Sequence, residues 1–437
     1  MSTFIPCRGA CHAGLAALTL LAGAALMRPF GDLVLPGMVP PFLLGAAVMV
    51  AGYFWALAGG QRNLSVPLIL GVAIAARILL LGQDPGNDIF RYIWEGRVLL
   101  HHGNPYLHAP DAVEFLPLRD TLWASVSLKT FSAVYPPLAE WIFALLAGIS
   151  PGVIFFKTVF AAADCLAGWC LARRFGWPAA VLYLWNPIVI TSFAGGGHYD
   201  SLFILALVLG WLAWDDGKFR PALLWLGAAV AIKWMALPLL AWAVWRRFQD
   251  RDRNLVAGFS ALTLGMTPFL IAWLGLCLWS GEWTLKMHPD QFTEFARSAE
   301  FLPRLIGEIW PASQYQNSWF LIPLALAWIT VILRARSFVA AAEGTLFFTL
   351  ILSPLIHIWY FTWMIPFAVV SRNRGTLLLS ASGFVYFSLY HRLEMTPEVQ
   401  WQLTLVETLL LWTPFVLGFL WSSLPSNRKP PIPSPSS

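Results

Sequence analysis

The chain predicts an all-α protein that crosses a membrane many times, and three observations carry that prediction. Fifty-eight per cent of residues are hydrophobic and mean hydropathy is +0.66, which a soluble core cannot explain. Apolar runs of membrane-spanning length recur from end to end. Lys and Arg gather in short turns between those runs, so the small excess of positive charge reports orientation rather than a nucleic-acid partner.

Taken in order, runs near 10–27, 38–58 and 65–82 read as three spans starting inside. The first follows Arg8 and lacks a convincing small-residue cleavage site, so it reads as an uncleaved span. With Gln61-Arg62-Asn63 inside, the third span delivers the chain to the outside at about 83. There a polar interval, 83–134, opens with Asp84-Pro-Gly-Asn-Asp88-Ile-Phe-Arg91-Tyr92-Ile-Trp-Glu95-Gly-Arg97, five charges in fourteen residues of a chain only 12% charged. As a helix this stretch sets Asp88, Arg91 and Glu95 on one face, either a base beside a cation or a structural ion pair. A second amphipathic candidate runs from Asp111 to Lys129, and loops of this length are usually functional.

Residues 135–149 are short for a crossing and read as re-entrant. The run 153–172 then leads inward to Arg173 and Arg174, and 179–193 leads outward to Ala194-Gly195-Gly196-Gly197-His198-Tyr199-Asp200. The three glycines there allow a close backbone approach or a left-handed turn. The run 201–214 returns to Asp215, Asp216 and Lys218. Between Arg220 and Arg246-Arg247, both cytoplasmic by charge, the short interval predicts a broken hairpin turning near Lys233 and Pro238. The run 254–280 goes out to a second outer loop with Lys286, His288, Asp290, Arg297 and Arg304. Five more apolar segments follow. Span 319–333 comes in to Arg334 and Arg336, and 338–356 goes out to Pro354-Leu-Ile-His357-Ile-Trp359-Tyr360. The run 361–370 returns to Arg372 and Arg374, 375–390 goes out, and 402–422 comes back in.

The expectation is about 12–14 crossings with no internal repeat. It divides into N-terminal spans (1–82), the first outer loop (83–134), a transmembrane bundle (135–423) and a disordered cytoplasmic tail (424–437). Five cysteines without zinc spacing predict neither a metal site nor a disulfide framework. No nucleotide-binding fingerprint is present, and no cofactor is expected.

This topology brings Asp84, Asp88, Arg91, Tyr92, Glu95, Tyr135, His198, Asp200, Lys233, His357 and Tyr360 to one outer rim. Ionisable groups at membrane depth are costly, which makes them functional candidates. The plainer alternatives are an interface histidine at 198, a snorkelling Lys233 and a helix-capping Asp200. Carboxylates, cations and aromatics together suit a lipid phosphate bearing a polar head: a carboxylate takes a proton from an attacking hydroxyl while a cation holds the departing phosphate.

The order of the motifs resembles a known family. Asp88-Ile-Phe-Arg-Tyr-Ile-Trp-Glu-Gly-Arg97, Asn104-Pro105-Tyr106, Tyr135-Pro-Pro-Leu, Trp185-Asn186-Pro187 and Gly197-His198-Tyr-Asp200 are similar to blocks of integral-membrane GT-C glycosyltransferases that use polyprenol-phosphate sugars. Ala231-Ile-Lys233-Trp and Ser353-Pro354-Leu-Ile-His357-Ile-Trp359-Tyr360 add to the likeness, which extends to bacterial mannosyltransferases. The resemblance implies that Asp88 is the catalytic base, with Asp84 as competitor, and that Arg91, Lys233 and His357 clamp phosphate. It implies single-sugar transfer with inversion, of mannose or another hexose, from a polyprenyl-phosphate donor to a glycan or glycolipid hydroxyl. The implied setting is the outer face of the cell's inner membrane. A divalent metal is not expected; Asp84 and Asp88 are where one would be held. The alternatives are a flippase or transporter, or a polymerase or ligase, acting on lipid-linked saccharides.

Overall fold

A computed structural model describes residues 5–59, 61, 64–250, 254–284, 294, 296–395 and 401–424. The chain is helical throughout, and the described residues form no strand beyond one isolated bridge, Ser298 to Leu355. In the absence of water every backbone N–H and C=O must be satisfied within the segment, which is what a membrane-spanning helix does.

The N-terminal unit is α1 (Ile5–Met27), α2 (Val39–Ala58) and α3 (Val66–Leu81). α3 starts cleanly because Ser65 caps it, accepting from Leu68 N, with Pro67 in the first turn. The first outer loop then begins with α4 (Asp88–Leu100) and contains the four-residue α5 (Thr121–Ala124). The amphipathic stretch expected over Asp111–Lys129 does not become one helix. Pro117 lies in a 3₁₀ segment, Val113–Leu118, and the chain turns before α5.

What fixes this loop is a small core of its own, Trp94 and Val98 of α4 against Phe115 and Val126. Arg91 adds a polar anchor. Its Nε bonds Glu95 at 2.7 Å, and its other nitrogens donate to the carbonyls of Leu128 (3.1 Å), Phe131 (2.6 Å) and Ser132 (2.7 Å).

α6 (Pro137–Ile149) has only 13 residues and lies against α4 so closely that Gly96 faces the Phe143 carbonyl directly. The long α7 (Val153–Phe175) precedes a bent pair, α8 (Trp177–Leu184) and α9 (Pro187–Ile190), the latter running on as a π-turn, Thr191–Gly195. The axis bends by 56° where Asn186-Pro187 interrupts it. α10 (Asp200–Asp215) and α11 (Phe219–Ile232) form an antiparallel pair. The helix breaks at Lys233, whose φ of −154° is extended, and resumes as α12 (Leu237–Gln249) with Pro238 in its first turn. This is the expected break. α13 (Leu255–Ser280) is the longest helix.

Further apolar helices are Leu321–Arg334, Phe338–Leu352 and Leu405–Ser423. Six helices of the described residues are long and apolar enough to cross a membrane, seven if the bent pair counts as one span, and five more are apolar but only 10–17 residues long. Long helices, bent pair and shorter helices together make 12 candidates among the described residues, against the 12–14 crossings expected, but only half of them are of full length. Hydropathy alone counts every apolar run, whereas Pro and Gly divide several of these runs into helices shorter than the hydrocarbon core. Of the second outer loop, Lys286, His288 and Asp290 lie outside the described residues, as does the tail from 425. Arg297 and Arg304 pair with Glu300 and Glu308.

One end of the bundle gathers the basic turns. Arg174 pairs with Asp216 at 3.2 Å, Arg247 lies over the Phe219 ring, and Trp242 Nε1 donates to Ala335 O. The opposite ends of α10, α11 and α12 carry Asp200, Lys233 and Pro238.

Candidate active site

Two loops are tied together to make the site. Gly86 N donates to Gly196 O at 2.9 Å, joining the turn that enters α4 to the turn that enters α10. Gly197 sits at φ +75°, and a Cβ there would lie 2.7 Å from Ile89 Cδ1, so this position requires glycine both for its backbone and for space. The result sets His198 beside Asp88, with Nδ1 3.7 Å from Oδ2.

Lys157, on α7 and fully buried, reinforces the arrangement. Its ammonium donates to Leu80 O at 3.2 Å and Gln83 O at 2.6 Å, closing the end of α3 from which the Asp84–Asp88 turn departs. Sequence reasoning missed this residue. Its signal was a lone lysine within an apolar run.

Behind Asp88 the rings are stacked. His198 lies on Trp359 with centroids 3.6 Å apart, and Trp359 lies on His357 at 4.4 Å. His357 Nδ1 meets Tyr386 OH at 2.8 Å; with the phenol donating, the ring proton stays on Nε2. His357 is held in place by the bridge at Ser298, which accepts from Ile356 N and donates to Pro354 O. Burial, with Lys233 nearby, pushes the His357 imidazole down to about 3, and burial likewise lowers His198, so both are neutral near pH 7. The Asp88 carboxyl is half-buried. Loss of water pushes it up to about 6, against the opposing pull of Lys233 and Arg91.

Lys233 comes from the helix break. It pairs with Asp200 at 2.5 Å, and Asp200 also accepts from Trp363 Nε1 at 2.7 Å. The rings of Tyr199, Tyr360 and Trp363 surround the ammonium at 5.0, 4.7 and 5.0 Å. Asp200 therefore positions the lysine, beyond any capping of α10. Tyr92, Tyr135 and Tyr199 pack edge to face beside it, 5.1–5.2 Å apart.

These groups enclose a narrow space of about 90 Å³, bordered by Asp88, Arg91, Tyr92, Tyr135, Lys233, His357 and Tyr360. A larger space opens on either side of it. One, about 570 Å³, is mostly apolar and runs from Lys233 and Tyr360 between Leu321, Leu324 and Trp328 of one helix and Leu352 of the next. The other, about 600 Å³, is more polar and contains Asp84, Asp88, His198 and His357.

Not every expected site residue converges. Asp84 borders the polar cavity but not the neck. Arg91 reaches the neck, yet its donors are taken by Glu95 and the loop carbonyls, an arrangement that fits a staple for the loop better than the expected phosphate clamp. Glu95 is buried behind Arg91, its carboxyl raised by burial, and does not border the cavities. Among the described residues no group of three or more His, Cys, Asp or Glu is arranged to hold a metal.

Comparison with known proteins bears on the part of the chain that holds most of this site. Residues 42–249, just under half of the chain, match the family of alpha-(1->6)-mannopyranosyltransferases, N-terminal domain. A GPI mannosyltransferase 1 of Gibberella zeae is 37% identical over 152 residues, 31% of this chain and 33% of that protein. An alpha-(1->6)-mannopyranosyltransferase A of Corynebacterium glutamicum is 26% identical over 191 residues, 41% of this chain and 36% of that protein. The chain thus spans about a third of the length of these curated relatives. Over residues 42–249, with Asp88, His198, Asp200 and Lys233 inside the matched segment, the chain is similar to the N-terminal domain of the alpha-(1->6)-mannopyranosyltransferases.

Proposed function

We propose that the protein moves one mannosyl residue from a polyprenyl phosphate to a hydroxyl of a saccharide acceptor at the outer face of the membrane. The observation that carries this reading is that Asp88 and Lys233 border the same narrow space, with an apolar cavity on the lysine side and a polar one on the carboxylate side. An isoprenoid tail suits the apolar cavity, which places its phosphate at the lysine. The acceptor enters through the polar cavity.

In this mechanism the acceptor oxygen forms a bond to the anomeric carbon as the bond from that carbon to the phosphate oxygen breaks. The electron pair leaves on the phosphate, whose growing charge Lys233 stabilises, with His357 Nε2 as a neutral donor. The acceptor proton passes to Asp88 and later to water. One displacement from the face opposite the leaving group inverts the anomeric configuration. His198 Nδ1, buried and without a hydrogen bond, lies 3.7 Å from the Asp88 carboxylate and orients it by closing that gap when substrate is bound.

Purified protein incubated with radiolabelled polyprenyl-phosphate mannose and octyl α-mannoside tests the reading. The expected result is a labelled disaccharide of inverted configuration and free polyprenyl phosphate. Movement of the labelled lipid across liposomes without glycoside product would replace this reading with a flippase.

A further inference from the structure

The polar cavity extends well past the groups used in the transfer step. Asp88, His357 and Trp359 border both the neck and this cavity, whereas Asp32, Tyr390 and Trp401 border the cavity alone. The space therefore runs from the reacting centre to a second wall. That wall is aromatic and rigid: Tyr390 and Trp401 stand perpendicular, 4.8 Å apart, and Trp401 Nε1 donates to Ser298 Oγ at 2.9 Å. The Tyr390 hydroxyl makes no hydrogen bond among the described residues, which leaves it available to a ligand.

The same cavity is lined by two exposed carboxylates on the loops after α1 and before α4, Asp32 and Asp84. Flat aromatic faces beside acceptor-only carboxylates are the chemistry that recognises a sugar: its C–H faces stack on the rings and its hydroxyls donate to the carboxylates. The volume, about 600 Å³, falls within the roughly 300–1,000 Å³ range of pockets that enclose ligands larger than one sugar ring.

We infer that the Tyr390–Trp401 wall and Asp32 form a subsite for the penultimate sugar of the acceptor, so that the protein extends an existing oligosaccharide in preference to a single sugar. This rests on the transferase reading above. Steady-state kinetics of the purified full chain with saturating polyprenyl-phosphate mannose test it, using octyl α-mannoside and its (1→6)-linked disaccharide as probes.

The disaccharide is expected to show a KM about tenfold lower, the size of effect that one stacked ring supplies. Tyr390→Ala removes that advantage while kcat and the KM for the monosaccharide stay within about twofold; Tyr390→Phe keeps most of it. Asp32→Asn, on an exposed loop, gives a smaller loss on the disaccharide alone and serves should Tyr390→Ala fold poorly.

Equal use of both probes by the wild type, or an equal loss on both in the variants, overturns the subsite and leaves the transferase reading standing. A raised KM for the lipid donor in Tyr390→Ala also overturns it, by moving the donor into this cavity. Absence of product from either probe overturns both.

Discussion

At the residue scale the proposed proton transfer depends on Asp88. Its charge is costly where it sits, and a carboxyl pushed up to about 6 is a better proton acceptor than one in water while still ionised at neutral pH. Asp88→Asn is expected to abolish transfer while the protein stays folded and binds the lipid donor, because an amide keeps the shape and hydrogen-bond acceptor but takes no proton. Asp84→Asn is expected to retain substantial activity, since Asp84 borders only the polar cavity. A reversal of the two outcomes moves the base to Asp84. The pH profile is a separate prediction. The active form is the carboxylate, so kcat/KM should fall about tenfold per unit as pH drops below about 6 and level off above it. A profile flat down to pH 4.5 removes Asp88 from the proton transfer. Lys233→Ala should slow turnover on the order of 10²–10³-fold, the effect of deleting one donor to a charge that develops in the transition state. Full turnover in that variant returns Lys233 to the role of a membrane-interface anchor.

At the scale of elements, sequence patterns revealed which segments matter better than what each side chain does there. The charge density of 84–97 marked α4, and helical spacing put Asp88, Arg91 and Glu95 on one face. The structure divides that face. Asp88 points to the neck, while Arg91 and Glu95 form a buried ion pair that fastens the rest of the loop. Spacing cannot tell these apart, because the partners that commit Arg91 are backbone carbonyls 36–41 residues away. The role of Lys157 was hidden for the same reason: the carbonyls it holds lie 74–77 residues away. The glycines at 195–197 were legible, since only a close approach or a left-handed turn calls for them at a membrane boundary. The staple can be tested by Arg91→Lys, which keeps the positive charge but not the planar fork that reaches several carbonyls. This variant should lose most activity and expose residues 119–132 to limited proteolysis. A phosphate clamp, by contrast, would tolerate the lysine with an unchanged digestion pattern.

At the scale of the whole molecule the question is which way the site faces. Hydropathy finds apolar runs without seeing where proline breaks them, whereas the distribution of Lys and Arg is independent of how many runs cross. The turns holding Arg173, Arg174, Arg246, Arg247 and Arg334 gather at one end of the bundle through the pairs Arg174–Asp216, Arg247–Phe219 and Trp242–Ala335. Asp200 and Lys233 lie at the other end of α10 and α11, and Asp88 borders the same narrow space as Lys233. α10 alone, with 16 residues and a rise of about 1.5 Å each, separates Asp200 from Asp215 by roughly 22 Å, most of a hydrocarbon core. Excess basic charge stays on the cytoplasmic side, so the end with Asp88 and Lys233 should face outward. Single cysteines placed at 173, 246 and 334, and at 84 and 390, in a chain freed of its own cysteines, test this in sealed cells. A membrane-impermeant maleimide should label 84 and 390 from outside, and reach the other three only after the membrane is opened. Outside labelling at 173 with protection at 84 would invert the bundle and put the acceptor in the cytoplasm. Outside labelling at 173 and 84 alike would leave the site facing outward and show instead that α6 crosses the membrane, which its 13 residues could manage only where the bilayer thins around it.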